Sequence, residues 1–146
     1  MRWIVAGAVA LSMMASTNAF AQSSAVDDTM AVCTSVIAEQ YESSEDPLPR
    51  WLECVGAVEG FLAVVGAVGP SADPLIGELV AALAELYRDD DQCKIRETEL
   101  PLAIATAAGG VFEEVIKAEY VLIGEQITDC DIGGTAAIVV TPASDA

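Results

Sequence analysis

Four cysteines, Cys33, Cys54, Cys93 and Cys130, are the residues whose spacing bears most directly on chemistry. No two of them form a C-x-x-C pair, and the chain has no histidine, so the pattern does not match the common structural zinc sites. An even number of cysteines in an exported protein is instead typical of disulfides. We therefore expect two disulfides and no metal or other cofactor.

The absence of histidine also limits the catalytic chemistry that the chain can perform. Ser-His-Asp and Cys-His arrangements are excluded, and no nucleophile elbow, phosphate-binding loop or dinucleotide fingerprint is present. A carboxylate pair could cleave glycans, and Glu59 is the one acid in an apolar setting, but we expect it at the solvent edge of a helix. The run Asp89, Asp90 and Asp91 lacks the alternating ligands of an EF-hand. The sequence thus predicts a protein that is not an enzyme.

The N-terminus has the pattern of a secretory signal peptide. An apolar run from Ile4 to Ala15 is followed by "STNAFAQ", in which Ala19 and Ala21 occupy the small-residue positions of a cleavage site. We expect cleavage after Ala21, which would leave a single domain from residue 22 to 146 in the periplasm or outside the cell.

The chain is strongly acidic. Residues 1–21 contain one base, Arg2, and no acid, so the exported part keeps all 23 acids against five bases, a formal net charge of −18. This charge would repel nucleic acid and anionic lipid and attract a cationic protein. Solubility alone is an equally good explanation for it.

Apolar periodicity predicts an all-α protein, a small helical bundle of four or five helices pinned by two disulfides. The first helix is expected over about 28–42, with Asp28 or Thr29 as its N-cap. Further helices are expected over about 51–65, over 75–88 after a cap at Ser71 or Asp73, and from Pro101 to 127 with a break at Gly109–Gly110. In the last segment, one stripe is expected to hold Val111, Val115, Ile116, Tyr120 and Ile123.

The apolar stretch "VGAVEGFLAVVGAVGP", residues 55–70, is too short and too near charged residues to cross a bilayer. We expect it to form a buried helix and predict no stable membrane insertion. Gly56 and Gly60 lie one turn apart and lower helix propensity, so we expect them to form a notch against which another backbone packs.

Two features stay open at the level of sequence. From about residue 131 the pattern is not helical, and "TAAIVVT" fits a short strand or a packed tail equally well. Helix lengths allow Cys54–Cys93 with Cys33–Cys130, or Cys33–Cys54 with Cys93–Cys130.

The order of the signal peptide, Cys33, "CVGAVEG" from Cys54, Cys93 and Cys130 resembles the Tai family of periplasmic immunity proteins, which neutralise peptidoglycan amidases delivered by type VI secretion. Cys54, Gly56, Val58 and Gly60 match the family's C-x-G-aromatic-aliphatic-x-G segment, whereas Ala57 stands in place of the aromatic. The resemblance implies a non-catalytic, homodimeric helical bundle that occludes the cleft of a cell-wall hydrolase. The acidity of the chain would steer it towards a cationic hydrolase.

The polar connections between helices are the candidate partner-binding segments. They are "ESSEDPLP", with Glu42, Glu45 and Asp46, and "RDDDQ", with Asp89, Asp90 and Asp91. An alternative function of a different class is an envelope-stress protein, chaperone-like, that exposes apolar surface when acid neutralises its carboxylates.

Overall fold

A computed structural model describes residues 17–43, 52–87 and 93–130. Within these ranges the protein is all-α, as the apolar periodicity predicts, and contains no strand. The α-helices are α1 (Thr17–Glu42), α2 (Glu53–Val65), α3 (Asp73–Glu85), α4 (Leu100–Gly109) and α5 (Glu114–Asp129), with short 3-10 helices at Gly66–Ala72 and Lys94–Glu97.

Helix α1 begins earlier than the sequence predicts. Asp28 and Thr29 lie inside it and do not cap it, and the buried Thr29 hydroxyl donates to the carbonyl of Ala25 at 2.8 Å. A threonine that bonds back one turn in this way is compatible with a helix interior. Since α1 starts at Thr17, it runs through the predicted cleavage position after Ala21. Residues 1–16 lie outside the described ranges, so the signal peptide stays a prediction.

Helix α3 packs against both α1 and α4. Its apolar face is fully buried at Ile76, Leu79, Val80 and Leu83. Burial of such a side chain contributes about 1.5–3 kcal/mol, so this face is a major source of the protein's stability. The helix begins at Asp73, two residues before the predicted start, and neither Ser71 nor Asp73 is its N-cap, which is Ala72.

The disulfides are Cys33–Cys54 and Cys93–Cys130, the second of the two pairings that the sequence leaves open. The first joins α1 to the start of α2, with Cα atoms 4.5 Å apart. The second joins the segment before α4 to the end of α5, with Cα atoms 5.9 Å apart. Both pairs fit an oxidising compartment outside the cytoplasm.

The apolar stretch of residues 55–70 divides between α2 and the 3-10 helix that follows it. Val55, Val58, Phe61 and Val65 form the buried face of α2. The direction then changes at Gly69, whose φ of 63° lies in the region that favours glycine. In the described part of the chain, no helix has the length and apolar character needed to cross a membrane.

The predicted packing notch at Gly56 and Gly60 is wrong. Both glycines are exposed, and a Cβ atom added to either would meet nothing within 4 Å. Close backbone packing occurs at Gly124 instead, where an added Cβ would lie 3.3 Å from the carbonyl oxygen of Pro101. The physical reason is that α4 and α5 form an antiparallel pair in contact, whereas the glycine face of α2 turns away from the core.

The predicted break at Gly109–Gly110 is confirmed, because α4 ends at Gly109 and Gly110 is its C-cap. Helix α5 starts later than expected, at Glu114, since Glu113 adopts an extended conformation. The predicted stripe is therefore partly wrong: Tyr120 and Ile123 are buried, but Val115 is 68% exposed. The predicted C-terminal strand or tail from 131 lies outside the described residues.

Candidate binding surface

Glu99 is a buried acid whose carboxylate caps a helix far from it in sequence. One oxygen accepts from the Cys54 amide at 3.2 Å and the other from the Val55 amide at 3.1 Å, in the first turn of α2. The N-cap residue of that helix, Leu52, has no side-chain acceptor to offer. Glu99 therefore satisfies two of the N–H groups that a helix start leaves unpaired, and its negative charge suits the helix dipole.

Gln40 connects this cap to α1. Its side-chain amide donates to Glu99 Oε1 at 3.1 Å, and its side-chain carbonyl accepts from the Glu99 backbone amide at 2.9 Å. Both side chains are buried. A buried carboxylate is costly unless hydrogen-bond donors surround it, and here α1 and α2 supply three. This network therefore fixes α1, α2 and the start of α4 relative to each other.

Asp73 likewise accepts backbone hydrogen bonds from a distant part of the chain, the turn between α4 and α5. Its two carboxylate oxygens accept from the Phe112 amide at 2.8 Å and from the Glu113 amide at 3.0 Å. Asp73 is only 4% exposed. The predicted role of Asp73 as a cap for its own helix is thus replaced by a bond across the bundle that holds this turn.

The other acids face the solvent. Of the sixteen Asp and Glu residues in the described ranges, Asp73 and Glu99 are buried and the remaining fourteen are exposed. The same ranges contain three bases, Lys94, Arg96 and Lys117. Lys117 pairs with the carboxylate of Glu114, with its Nζ atom 3.8 Å from Oε1. Asp73 and Glu99 therefore accept hydrogen bonds inside the fold, and the other carboxylates give the surface a large excess of negative charge.

Exposed apolar side chains concentrate on the α4–α5 hairpin. Four of the seven large exposed apolar residues in the described ranges lie there: Leu102, Phe112, Val115 and Leu122. Val115, Glu119 and Leu122 share one side of α5 by helical spacing, and Phe112 directly precedes that helix. We call Phe112, Val115, Glu119 and Leu122 the Phe112 surface. Sequence periodicity missed it because it assigned Val115 to the core.

Tyr120 lies on the opposite, buried side of α5. Its hydroxyl group has no hydrogen-bond partner among the described residues. Burial raises the pKa of this phenol above its ordinary value, and the charges of Glu119 and Asp73 raise it further. The phenol is therefore neutral at ordinary pH, and the buried ring stabilises α5 by packing in the core.

The partner-binding residues predicted from the sequence are mostly outside the described ranges. Glu45, Asp46, Asp89, Asp90 and Asp91 all lie there, so these predictions stay predictions. Glu42 is exposed at the last position of α1, where it is available to a partner. Glu59 is exposed on α2, as expected of an acid at a solvent edge. The described structure therefore offers the Phe112 surface in addition to the predicted segments.

Comparison of the chain with protein-family models, with curated proteins and with solved structures finds no match. The resemblance to the Tai family rests on the cysteine order and the C-x-G-x-x-x-G segment alone.

Proposed function

We propose that this protein is an exported, non-catalytic binding protein that neutralises a cationic protein partner in the periplasm. In the specific form of the proposal it is an immunity protein, and the partner is a peptidoglycan amidase whose cleft it occludes. The observation that carries the proposal is the surface charge, with fourteen exposed carboxylates against three bases in the described ranges. Such a surface accelerates encounter with a positively charged protein.

The rigidity of the bundle supports the same proposal. Two disulfides and two buried carboxylates, Glu99 and Asp73, hold helices that are distant in sequence. An inhibitor that is ordered before it binds loses less conformational entropy on binding, which favours affinity. A preformed, acidic helical surface is therefore suited to occlusion.

The test is capture of the partner from the cell envelope. The tagged, oxidised protein serves as bait at low and at moderate salt, and a captured hydrolase is then assayed with and without the protein. We expect one stoichiometric hydrolase, its inhibition, and faster association at low salt, because the attraction between exposed charges is screened as salt rises. Recovery of many unrelated envelope proteins, or of none, would contradict the proposal.

The second candidate function is an acid-responsive, chaperone-like envelope protein. It is favoured by the use of Glu99 and Asp73 as acceptors, because a protonated carboxyl group has less capacity to accept hydrogen bonds from the amides that it now holds. This candidate predicts that acid loosens the bundle and increases binding of an apolar dye. Unchanged circular dichroism and dye fluorescence down to about pH 3 would exclude it.

A further inference from the structure

We infer that the Phe112 surface is the contact face for the cationic partner, and that Phe112 enters an apolar pocket ringed by lysine or arginine side chains on that partner. This inference rests on the proposed function and deepens it by naming the contact face and the partner chemistry. Three observations support it separately: the exposure of the Phe112 ring, the hydrogen bonds to Asp73 that hold its backbone, and the acidic residues of α5.

The exposure of Phe112 has no explanation in the local structure of α5. An apolar residue directly before an N-cap ordinarily packs on the fourth residue of the helix, an arrangement called the hydrophobic staple. With Glu113 as N-cap, that fourth residue is Lys117, which is paired with Glu114. The apolar half of the staple is missing, and Phe112 stays 67% exposed. The ring is thus free to pack against another molecule.

The backbone of Phe112 is nevertheless held firmly. Asp73 accepts hydrogen bonds from the amides of Phe112 and Glu113, and this acid is itself buried. A phenyl ring has only two side-chain torsions, so fixing its backbone orders most of the group before any partner arrives. Aromatic residues presented in this way are frequent among the few residues that dominate binding energy.

The charge around this ring favours a cationic partner over a second copy of the chain. Glu113, Glu114, Glu119 and Glu125 are all exposed within the same turn and helix, and Lys117 is the one base among them. A second copy would bring the same acids to the contact and be repelled. An anionic membrane would be repelled for the same reason. A basic rim around an apolar pocket complements both the ring and the carboxylates.

Val64 provides a matched control for Phe112. It is 69% exposed on α2, a different helix, and Glu59 lies five residues before it on that helix. The variants F112A and V64A remove similarly exposed apolar groups. Neither should unfold the bundle, because both side chains are exposed and the amide of residue 112, which Asp73 holds, is kept in F112A. A difference between the two variants therefore reports the location of the contact.

The first arm uses a defined probe, a synthetic amphipathic helix of leucine and lysine, with oligolysine of equal charge as the comparison. Amide chemical shifts of the oxidised protein are followed by NMR during titration. We expect shifts centred on the Phe112 surface with the leucine–lysine peptide and diffuse, salt-sensitive shifts with oligolysine. F112A should weaken binding of the leucine–lysine peptide at least tenfold, and V64A by less than twofold. No binding, or an equal loss in both variants, would overturn the inference.

The second arm uses F112A and V64A as baits in the envelope capture. Loss of the partner with F112A and its retention with V64A support the inference. If the wild-type protein captures and inhibits a hydrolase that F112A retains equally well, the contact face is wrong and the proposed function stands. If F112A binds the peptide poorly but the wild-type protein captures no hydrolase, the proposed function fails. If sedimentation shows a dimer that F112A abolishes, the occupant is a second copy and the assignment to a cationic partner is overturned.

Discussion

Replacement of Glu99 should destabilise the protein more than replacement of any exposed acid. In the variant E99A, two amides in the first turn of α2 and the side-chain amide of Gln40 lose their acceptor. Each buried donor left unpaired costs roughly 1–3 kcal/mol, and water that enters the vacated space recovers part of this. We therefore expect a loss of about 4 kcal/mol. That is a large part of the 5–15 kcal/mol typical of a single domain.

The variant E99Q separates shape from charge. Its amide oxygen can still accept from the Cys54 amide and from Gln40, but its amide nitrogen would face the Val55 amide, donor against donor. One unpaired donor and the loss of charge should cost about 2 kcal/mol. The order E99A, then E99Q, then wild type in rising stability is the expected result.

The assay is urea unfolding followed by far-UV circular dichroism with both disulfides kept oxidised. E59A and E59Q are the controls, since Glu59 is an exposed acid on α2, and they should change stability by less than about 0.5 kcal/mol. Hydrogen exchange provides a local readout, because the Cys54 and Val55 amides should lose protection in E99A. A loss below about 1 kcal/mol in E99A, or equal losses in E99A and E59A, would refute the capping role.

Four further predictions concern other positions of the bundle. G60A should raise the free energy of unfolding by about 1 kcal/mol, because alanine favours a helix and the added methyl group meets open space. G124A should lower it by about 1 kcal/mol, because the added methyl group contacts a backbone oxygen. Thermal unfolding measures both variants, and equal effects would contradict this prediction. D73N should cost about 2 kcal/mol and speed hydrogen exchange at the Phe112 amide, and unchanged exchange there would contradict the role of Asp73 in the turn. Y120F should raise stability by up to about 1 kcal/mol, since it removes a buried hydroxyl group without a partner, and a clear loss would show that this group is bonded. The pKa of the Tyr120 phenol is raised in the folded protein, so the phenol favours the folded state fully below about pH 10 and loses this effect at higher pH. In urea unfolding, the free energy of unfolding should therefore fall more steeply with rising alkaline pH in the wild-type protein than in Y120F.

The sequence by itself determined the all-α class, the presence of two disulfides and the main helices, whereas which cysteines pair was decided by the tertiary structure. These properties depend on residues a few positions apart or on composition. The spacing of Leu79 and Leu83 specifies the buried face of α3 wherever that helix lies. Likewise, the two glycines at 109 and 110 interrupt a helix through their own backbone freedom, so the break was predictable.

The tertiary structure alone decided how these helices are held and which surfaces remain free. Glu99 meets the Cys54 amide across 45 residues, and Asp73 meets the Phe112 amide across 39 residues. Such caps leave no local pattern, because the acceptor and the helix that it caps belong to different parts of the chain. The sequence also could not place the glycine face of α2 or Val115, since an apolar position becomes core only if another helix covers it. The packing of α3, α4 and α5 decided that, and it left Phe112 exposed.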